Sequence, residues 1–304
     1  MSTLSTTTSG YRPASPSVGD TLYETDTNRV ITCSATGPVV WRVYDSDGVA
    51  YTTAGTNELN YPTGLWSSAG ATYYLTGLSP VMHFDAKILD GADSDNNPAN
   101  GADVPVWGDR SGSGTDYDLS QSTASYQPHF FAASGIHGVT TSASDGHILN
   151  LATSFALAAA DDLTQIIVAT NTDVGENSIS GLSPAIHTGA NSLFVAGGAN
   201  GALKIGGVAA TGPPTFSQSD PNLHVLTKQG TAFKYWWQGG SVNQSKTATV
   251  NNTFTKMFTL YNSAGNDCRI HEVLVFSSEV SLANLNIIKN YVNAKYSISV
   301  SNLT

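Results

Sequence analysis

The fold is decided by the stretch from Arg269 to Ile298, which reads RIHEVLVFSSEVSLANLNIIKNYVNAKYSI. Its first part is rich in β-branched and aromatic residues and has no glycine or proline, which predicts a strand over residues 269–276. Its second part opens with Ser281, a good N-cap, and continues with apolar residues at helical spacing. The apolar positions of this predicted helix are Leu282, Leu285, Ile288 and Val292.

The rest of the chain predicts strands and turns. In residues 80–86, Met82, Phe84 and Ala86 alternate with His83 and Asp85, as in a strand with two different faces. Residues 163–170 are rich in Ile and Val, which is typical of a buried central strand. Residues 223–227 and 233–238 flank a turn and predict a hairpin. Short strands separated by Gly, Asn and Ser turns indicate a β-sandwich.

The closing strand and helix resemble those of concanavalin A-like (laminin-G-like) jelly rolls. Glu272-Val-Leu-Val-Phe, Ser281-Leu, Ile288, Tyr291-Val and Lys295-Tyr-Ser-Ile carry this likeness. A second segment, Trp107-Gly-Asp109-Arg110-Ser111-Gly112, resembles the Trp-x-Asp-x-Ser-Gly turn early in many laminin-G-like domains. The resemblance implies an all-β fold, with a concanavalin A-like β-sandwich and one C-terminal helix. It also implies a structural turn, whose Asp and Ser bond the backbone while the Trp caps the core.

A small unit at residues 11–43 resembles the β-meander common in tail-fibre and other virion proteins of tailed phages. The likeness is carried by Arg12, Pro13, Pro16, Gly19, Asp20, Thr25, Asp26, Asn28 and Trp41. Such a unit is small for independent stability, so we expect it to attach the chain to a neighbour or to assemble as a trimer. Within it, Arg12, Asp20, Asp26 and Trp41 are the candidate attachment residues. A hairpin that merely decorates the main domain is the alternative.

The predicted domain organisation has three parts. Residues 1–45 form an N-terminal arm and β-meander, residues 46–78 a connector, and residues 79–304 the laminin-G-like jelly roll.

Charge and composition narrow the classes of partner. The chain has 13 Lys and Arg against 23 Asp and Glu, and the net charge of −10 disfavours nucleic acid and anionic lipid. Only 12% of residues are charged, and Ser, Thr, Asn and Gly supply a neutral polar surface instead. The N-terminus lacks the basic and apolar regions of a secretory signal, and no apolar run is long enough to span a bilayer. We therefore expect assembly in the host cytoplasm and exposure on a virion surface.

The two cysteines, Cys33 and Cys268, lie far apart in sequence and form neither a disulfide framework nor a zinc motif. We expect both to be buried free thiols.

One loop is a candidate metal site. Asp93, Asp95 and Asn97 alternate as the oxygen ligands of a calcium loop do. Pro98 and Val104 stand where an EF-hand needs Gly and a bidentate Glu, so a solvated Asx-turn loop is the competing interpretation. Apart from calcium, no cofactor is predicted.

No catalytic residue is predicted. The five Glu show no Glu-x-Asp-x-Glu spacing, and the closing-strand Glu272 is expected to be structural. The seven His show no His-x-His or His-x-x-x-His spacing that would indicate a metal site. These patterns predict that the chain is not an enzyme, although residues distant in sequence can still converge.

Carbohydrate binding needs planar aromatic rings beside neutral polar groups, and Tyr235, Trp236 and Trp237 are the candidates. Adjacent residues of a strand face opposite sides, so at least one of these rings is expected in the core.

These observations together predict a non-enzymatic structural protein of a bacteriophage virion. The preferred role is a capsid decoration protein (a cement or head-fibre protein) that displays a lectin-like jelly roll. Its partners would be further copies of the chain, as a trimer, and other virion proteins such as the major capsid protein. The first alternative is a tail-fibre adhesin that binds host-surface glycan, and the second is a glycan depolymerase.

Overall fold

The computed structural model describes residues 80–90, 97–141, 146–171, 220–242, 244–257 and 268–304, and elsewhere only the backbone of short strands. The chain divides into two compact units. One comprises residues 1–79 and 290–297, and the other residues 80–289 and 298–304.

The N-terminal unit contains a five-stranded sheet with its strands in sequence order. Its strands are β1 (Ser5–Thr7), β2 (Thr21–Glu24), β3 (Arg29–Thr36), β4 (Val39–Tyr44) and β5 (Ala50–Thr52). Strands β2 to β5 pair antiparallel, as in a meander. A separate hairpin joins β6 (Gly64–Trp66) and β7 (Thr72–Tyr74).

The larger unit contains two large antiparallel sheets. The first, called here the eight-stranded sheet, includes a run of seven strands in the order β11-β12-β24-β14-β20-β21-β22, with β8 also paired to β24. Its members are β8 (Met82–Asp85), β11 (His129–Ala133), β12 (Ile136–Thr141), β14 (Leu163–Asn171), β20 (Asn222–Gln229), β21 (Ala232–Trp237), β22 (Gln244–Thr247) and β24 (Cys268–Phe276).

The second, called here the sandwich's five-stranded sheet, has the order β16-β23-β13-β10-β9. Its members are β9 (Val106–Trp107), β10 (Leu119–Ser120), β13 (Leu149–Leu157), β16 (Leu182–Ser183) and β23 (Asn252–Met257). A further small sheet joins β15 (Ser178–Ser180), β17 (Val195–Gly197), β18 (Lys204–Ile205) and β19 (Val208–Ala209).

The main core lies between the two large sheets. Strand alternation sends one set of buried apolar side chains from each sheet into it, including Met82, Phe84, Ile167, Val273 and Val275 from the eight-stranded sheet and Trp107, Leu119, Leu151, Phe155 and Phe254 from the other. Strand β14 pairs with β24 on one side and β20 on the other, which confirms the predicted central strand. The hairpin predicted from residues 223–238 is confirmed as β20 and β21. The predicted β-sandwich is therefore confirmed.

Part of the other face of the eight-stranded sheet is also buried, as Ile166, Val168, Val225 and Leu274 show. The C-terminal tail lies near this face, because the indole nitrogen of Trp236 donates to the Thr304 carbonyl at 3.2 Å. The tail is in turn tied to the helix by hydrogen bonds of Asn286 with Leu303 and of Lys289 with Asn302.

The predicted helix is confirmed as α1 (Leu282–Tyr296). Ser281 caps it, since its Oγ accepts from the Asn284 N–H at 3.3 Å. Leu285, Ile288 and Val292 are buried as predicted, but Leu282 is 42% exposed, so the apolar face begins one turn later than the sequence pattern indicates. Within the described residues, no helix is long and apolar enough to cross a membrane.

Cys268 is a buried free thiol, as predicted, and its Sγ lies 3.0 Å from the Thr141 hydroxyl. The side chain of Cys33 lies outside the described residues.

Candidate functional site

A cluster of buried polar side chains lies where β8 pairs with β24. In this antiparallel register Asp85 is opposite Glu272, and His83 is opposite Leu274. His83, Asp85 and Glu272 are each 1% exposed, and one ligand atom from each lies within 4.8 Å of the others. The Nε2 of His83 is 2.8 Å from the Oε1 of Glu272. We call these residues, together with Asp109 and Arg110, the His83 cluster.

The turn that follows β9 completes the cluster. The Oδ1 of Asp109 accepts from the backbone N–H of His83 at 2.8 Å, and the Arg110 N–H donates to the His83 carbonyl at 2.8 Å. The Arg110 guanidinium also donates to Asp85 at 3.2 Å. Ser111 bonds Asp109 through both its N–H and its hydroxyl. These bonds, and a Trp107 side chain that is fully buried, match the structural role predicted for the Trp-x-Asp-x-Ser-Gly turn.

The His83 cluster contains more acidic than basic groups, because it has three carboxyls and one guanidinium. Burial raises the pKa of Asp109, and hydrogen bonds from His83 and Ser111 oppose that rise. The Nδ1 of His83 is buried and has no hydrogen-bond partner among the residues that the structure describes. A small divalent cation is the kind of charge that would restore balance.

The cluster contains what metal chemistry requires, one imidazole and two carboxylates, but those groups are already engaged. Both oxygens of Asp85 accept hydrogen bonds, one from the Lys87 N–H at 3.0 Å and one from Arg110 at 3.2 Å. The arrangement therefore serves first as a tie that joins β8, β24 and the turn after β9.

Spacing rules did not find this cluster, because they look for ligands close together in the sequence. His83 and Glu272 are 189 residues apart. One signal was available: His83 and Asp85 alternate with Met82 and Phe84, which places both polar residues on one face of a strand.

The predicted sugar-binding strand is largely internal. Tyr235 is 1% exposed and its hydroxyl lies 2.8 Å from the His224 Nδ1, while Trp236 is 5% exposed. Neither ring offers a face to a sugar, which corrects the prediction for these two residues: one ring faces the core between the sheets and the other faces the C-terminal tail. Trp237 is only partly buried and packs against the core.

Most residues of the other two candidate sites lie outside the described part of the structure. These are Asp93 and Asp95 of the candidate calcium loop, and Arg12, Asp20, Asp26 and the side chain of Trp41 in the attachment unit. Asn97 is described, and its side chain bonds the backbone of residues 87–89. Its Oδ1 accepts from the Leu89 N–H at 3.1 Å, and its Nδ2 donates to the Lys87 carbonyl at 2.5 Å.

An exposed surface covers the outside of the sandwich's five-stranded sheet. Val106, Ser120, Asn150 and Lys256 pair across its strands in one row, and Ala156 pairs with Thr253 farther along. Ser120, Ala152, Ala156 and Thr253 are exposed, and Val106 is 47% exposed. We call this surface, defined by Val106, Ser120, Asn150, Ala152, Ala156, Thr253 and Lys256, the five-stranded face. Its side chains are small and neutral except for Lys256.

No protein-family model and no curated protein match the sequence. Among solved structures, the chain is similar to a Trypanosoma rangeli sialidase in complex with the inhibitor DANA, at 12% identity and TM-score 0.49, over 94% of this chain and 46% of the sialidase. It is similar to an alginate lyase of polysaccharide lyase family 7 at 11% identity and TM-score 0.37, over 49% of this chain and 82% of the lyase. It is also similar to the receptor binding domain of a botulinum neurotoxin C/D mosaic serotype, at 13% identity and TM-score 0.40, over 70% of this chain and 51% of that domain.

These matches contradict the prediction that the chain is not an enzyme, because a sialidase and an alginate lyase stand among the similar structures. The chain spans less than half the length of the sialidase. At this level of identity the likeness concerns the fold alone, and a β-sandwich hosts many unrelated functions. It therefore gives this chain neither a catalytic residue nor a substrate.

Proposed function

We propose that this chain is a bacteriophage virion protein that decorates the capsid and presents a lectin-like β-sandwich outwards. The observation that carries the proposal is the five-stranded face, an exposed sheet surface of small neutral side chains on a protein with a net charge of −10. A capsid knob needs such a surface, because it must stay solvated at high local concentration without pairing with its neighbours.

The attachment half of the proposal is supported by the N-terminal sequence. Residues 11–43 resemble the β-meander of tailed-phage virion proteins, and a strand set of that kind runs from β2 to β5. We propose that this unit joins copies of the chain into a trimer and binds the major capsid protein, so that buried contact area stabilises the shell.

Locating the protein on purified virions tests the proposal. Gold-labelled antibody and quantitative mass spectrometry should find many copies distributed over the head, and the isolated protein should sediment as a trimer. A monomeric protein that is absent from purified particles contradicts the proposal.

A tail-fibre adhesin that binds host glycan is the second candidate, and the five-stranded face favours it as well. Neutral hydrogen-bonding groups on an open sheet suit the hydroxyls of a neutral sugar. A few copies at the tail tip, with saturable binding to host cells or to their polysaccharide, would favour this role over decoration.

Two variants that add the same charge would locate such binding. Ala152→Glu places a carboxylate on the five-stranded face, whereas Ser245→Glu places one at an exposed position of β22 in the other sheet. The adhesin role predicts that only Ala152→Glu weakens binding to polysaccharide. Incubation of the wild-type protein with capsule should accompany this test, since release of oligosaccharide would identify a glycan-cleaving activity.

A further inference from the structure

Arg269 occupies an unusual position on the eight-stranded sheet. Its neighbours in β24, Cys268 and Ile270, point into the main core, so Arg269 projects from the opposite face. Its guanidinium carbon lies 3.1 Å from the centroid of the Phe131 ring. A cation over an aromatic face is attracted by the ring's quadrupole, and this contact fixes the plane of the guanidinium.

Gly138 allows the Arg269 side chain to reach the Phe131 ring. A Cβ atom at residue 138 would lie 2.3 Å from the Arg269 Cγ and 2.8 Å from its Cδ. The arginine stem therefore crosses β12 where there is no side chain, and in this way reaches Phe131 on β11.

The guanidinium has no anionic partner in the described part of the chain. Among the residues described, its Nε is buried without a hydrogen-bond partner, and the guanidinium lies over the Phe131 ring. Burial lowers the pKa of Arg269, because desolvation disfavours the charged form. Two other largely buried cations are compensated: Arg110 bonds Asp85, and the ammonium of Lys228 donates to backbone carbonyls.

Three further polar residues lie near Arg269 in the strand register. Thr170 is directly opposite on β14, but its hydroxyl is 2.8 Å from the His271 ring. His129, opposite Thr140 on β11, lies 3.0 Å from the Asp103 carboxylate. Thr140 is directly opposite Arg269 in the β12–β24 register and is partly exposed. The adjacent imidazole of His271 is engaged at both ring nitrogens, by Thr170 at 2.8 Å and by the His137 carbonyl at 2.6 Å. Of the polar groups that the structure describes here, the Thr140 hydroxyl and the guanidinium are therefore the ones left for an incoming ligand.

We propose that Arg269 and Thr140 form a binding site for the carboxylate of an acidic sugar. The fork of a guanidinium matches a carboxylate with two parallel hydrogen bonds. A polyanion is a poor fit, since a protein of net charge −10 repels it at every other position. A sugar acid combines one carboxylate for Arg269 with neutral hydroxyls for Thr140. The site lies on a different sheet from the five-stranded face, so either can fail without the other.

Titration calorimetry of the full chain with glucuronate, glucose and acetate tests the site. Glucuronate should bind saturably at low salt, and both glucose and acetate should bind at least about tenfold more weakly. Arg269→Gln should lose about tenfold or more in affinity for glucuronate, because charge-assisted bonds are the strong ones. Arg269→Lys should recover only part of that loss, since an ammonium cannot form the paired contact. Thr140→Val should weaken glucuronate binding less than Arg269→Gln does.

Lys234→Gln is the matched control, because it removes one positive charge from a side chain that is 50% exposed on β21. It should leave glucuronate affinity unchanged. Circular dichroism of each variant would confirm that the fold is retained. The proposal is overturned if glucuronate does not bind, if Arg269→Gln binds it as the wild type does, or if acetate binds as tightly as glucuronate.

Discussion

The Nε2 of His83 lies 2.8 Å from the Oε1 of Glu272, and both side chains are 1% exposed. This pair joins β8, near the beginning of the sandwich, to the closing strand β24. Removing Glu272 leaves the buried Nε2 of His83 without this partner, and an unsatisfied buried polar group costs about 1–3 kcal/mol. Glu272→Ala should therefore lower the free energy of unfolding by an amount in that range, measured by urea denaturation at neutral pH.

A surface carboxylate provides the comparison for Glu272. Glu279 lies 3.9 Å from the Lys234 ammonium, and its side chain is 25% exposed. Glu279→Ala should cost less than about 1 kcal/mol, because a solvated ion pair contributes little. Equal losses for the two variants would mean that the His83–Glu272 pair has no special role in stability.

The stability of the sandwich should depend on pH through His224. Burial lowers the pKa of its imidazole to about 3 from an ordinary value of 6.5. Between those two values the unfolded chain binds a proton that the folded chain does not, so stability is present above the upper value and is lost as pH falls. The slope from this one group approaches about 1.4 kcal/mol per pH unit.

His224→Gln removes that proton from the unfolded chain and keeps a polar group near the Tyr235 hydroxyl. The variant should be less stable than the wild type near neutral pH. Its stability should then fall less steeply on acidification, and the difference between the two curves isolates His224 from the carboxylates. Parallel curves for the two proteins between about pH 6.5 and about pH 4 would refute the assignment.

Local patterns predicted the frame of the molecule well because they report on single strands and helices. The alternation of Met82 and Phe84 with His83 and Asp85 gave the two faces of β8, and Ser281 marked the start of α1. Of the four helix residues predicted to be buried, only Leu282 is exposed. Helical spacing identifies which residues share a face, but it does not show where along the helix that face becomes buried by the rest of the protein.

Functional residues were harder to predict because they depend on contacts between distant segments. The His83–Glu272 pair follows from the β8–β24 register, which no spacing rule contains. Burial of both Tyr235 and Trp236 requires other residues to cover both faces of the eight-stranded sheet, and on the Trp236 side Thr304 contributes, because its carbonyl accepts from the Trp236 indole. The aromatic run of Tyr235 and Trp236 therefore predicted an exposed binding surface, whereas the structure buries the two rings on opposite faces of the sheet.

Two glycines with the same backbone angle should respond differently to alanine. Gly135 and Gly239 both have φ of +79°, but a Cβ at Gly135 meets no atom within 4 Å, whereas one at Gly239 would lie 2.0 Å from the Ser301 carbonyl oxygen. Gly135→Ala should cost roughly 1–2 kcal/mol for the left-handed backbone alone. Gly239→Ala should cost clearly more.

The extra loss in Gly239→Ala should come from the C-terminal tail. Gly240 exchanges backbone hydrogen bonds with Asn302 at 2.9 Å and Thr304 at 2.8 Å, so a displaced Ser301 should disturb both. Limited proteolysis would then cleave residues 298–304 faster than in Gly135→Ala. If the tails of the two variants are equally protected, the close approach at Ser301 does not constrain the tail.

Lys228 should matter for stability as a hydrogen-bond donor. Its side chain is fully buried, and its ammonium donates to the carbonyls of Ala158, Ala159 and Asp161 in the turn before β14. Lys228→Met keeps the length and apolar stem of the side chain but leaves those carbonyls without this donor. Because these carbonyls are only partly buried, we expect a loss within the range of about 1–3 kcal/mol for an unsatisfied polar group in urea denaturation. Lys234→Met, at an exposed position of the adjacent strand, should change stability by less than about 1 kcal/mol. Amide hydrogen exchange should be faster in the turn of Lys228→Met than in that of Lys234→Met, and equal protection of the turn would mean that the ammonium does not hold it.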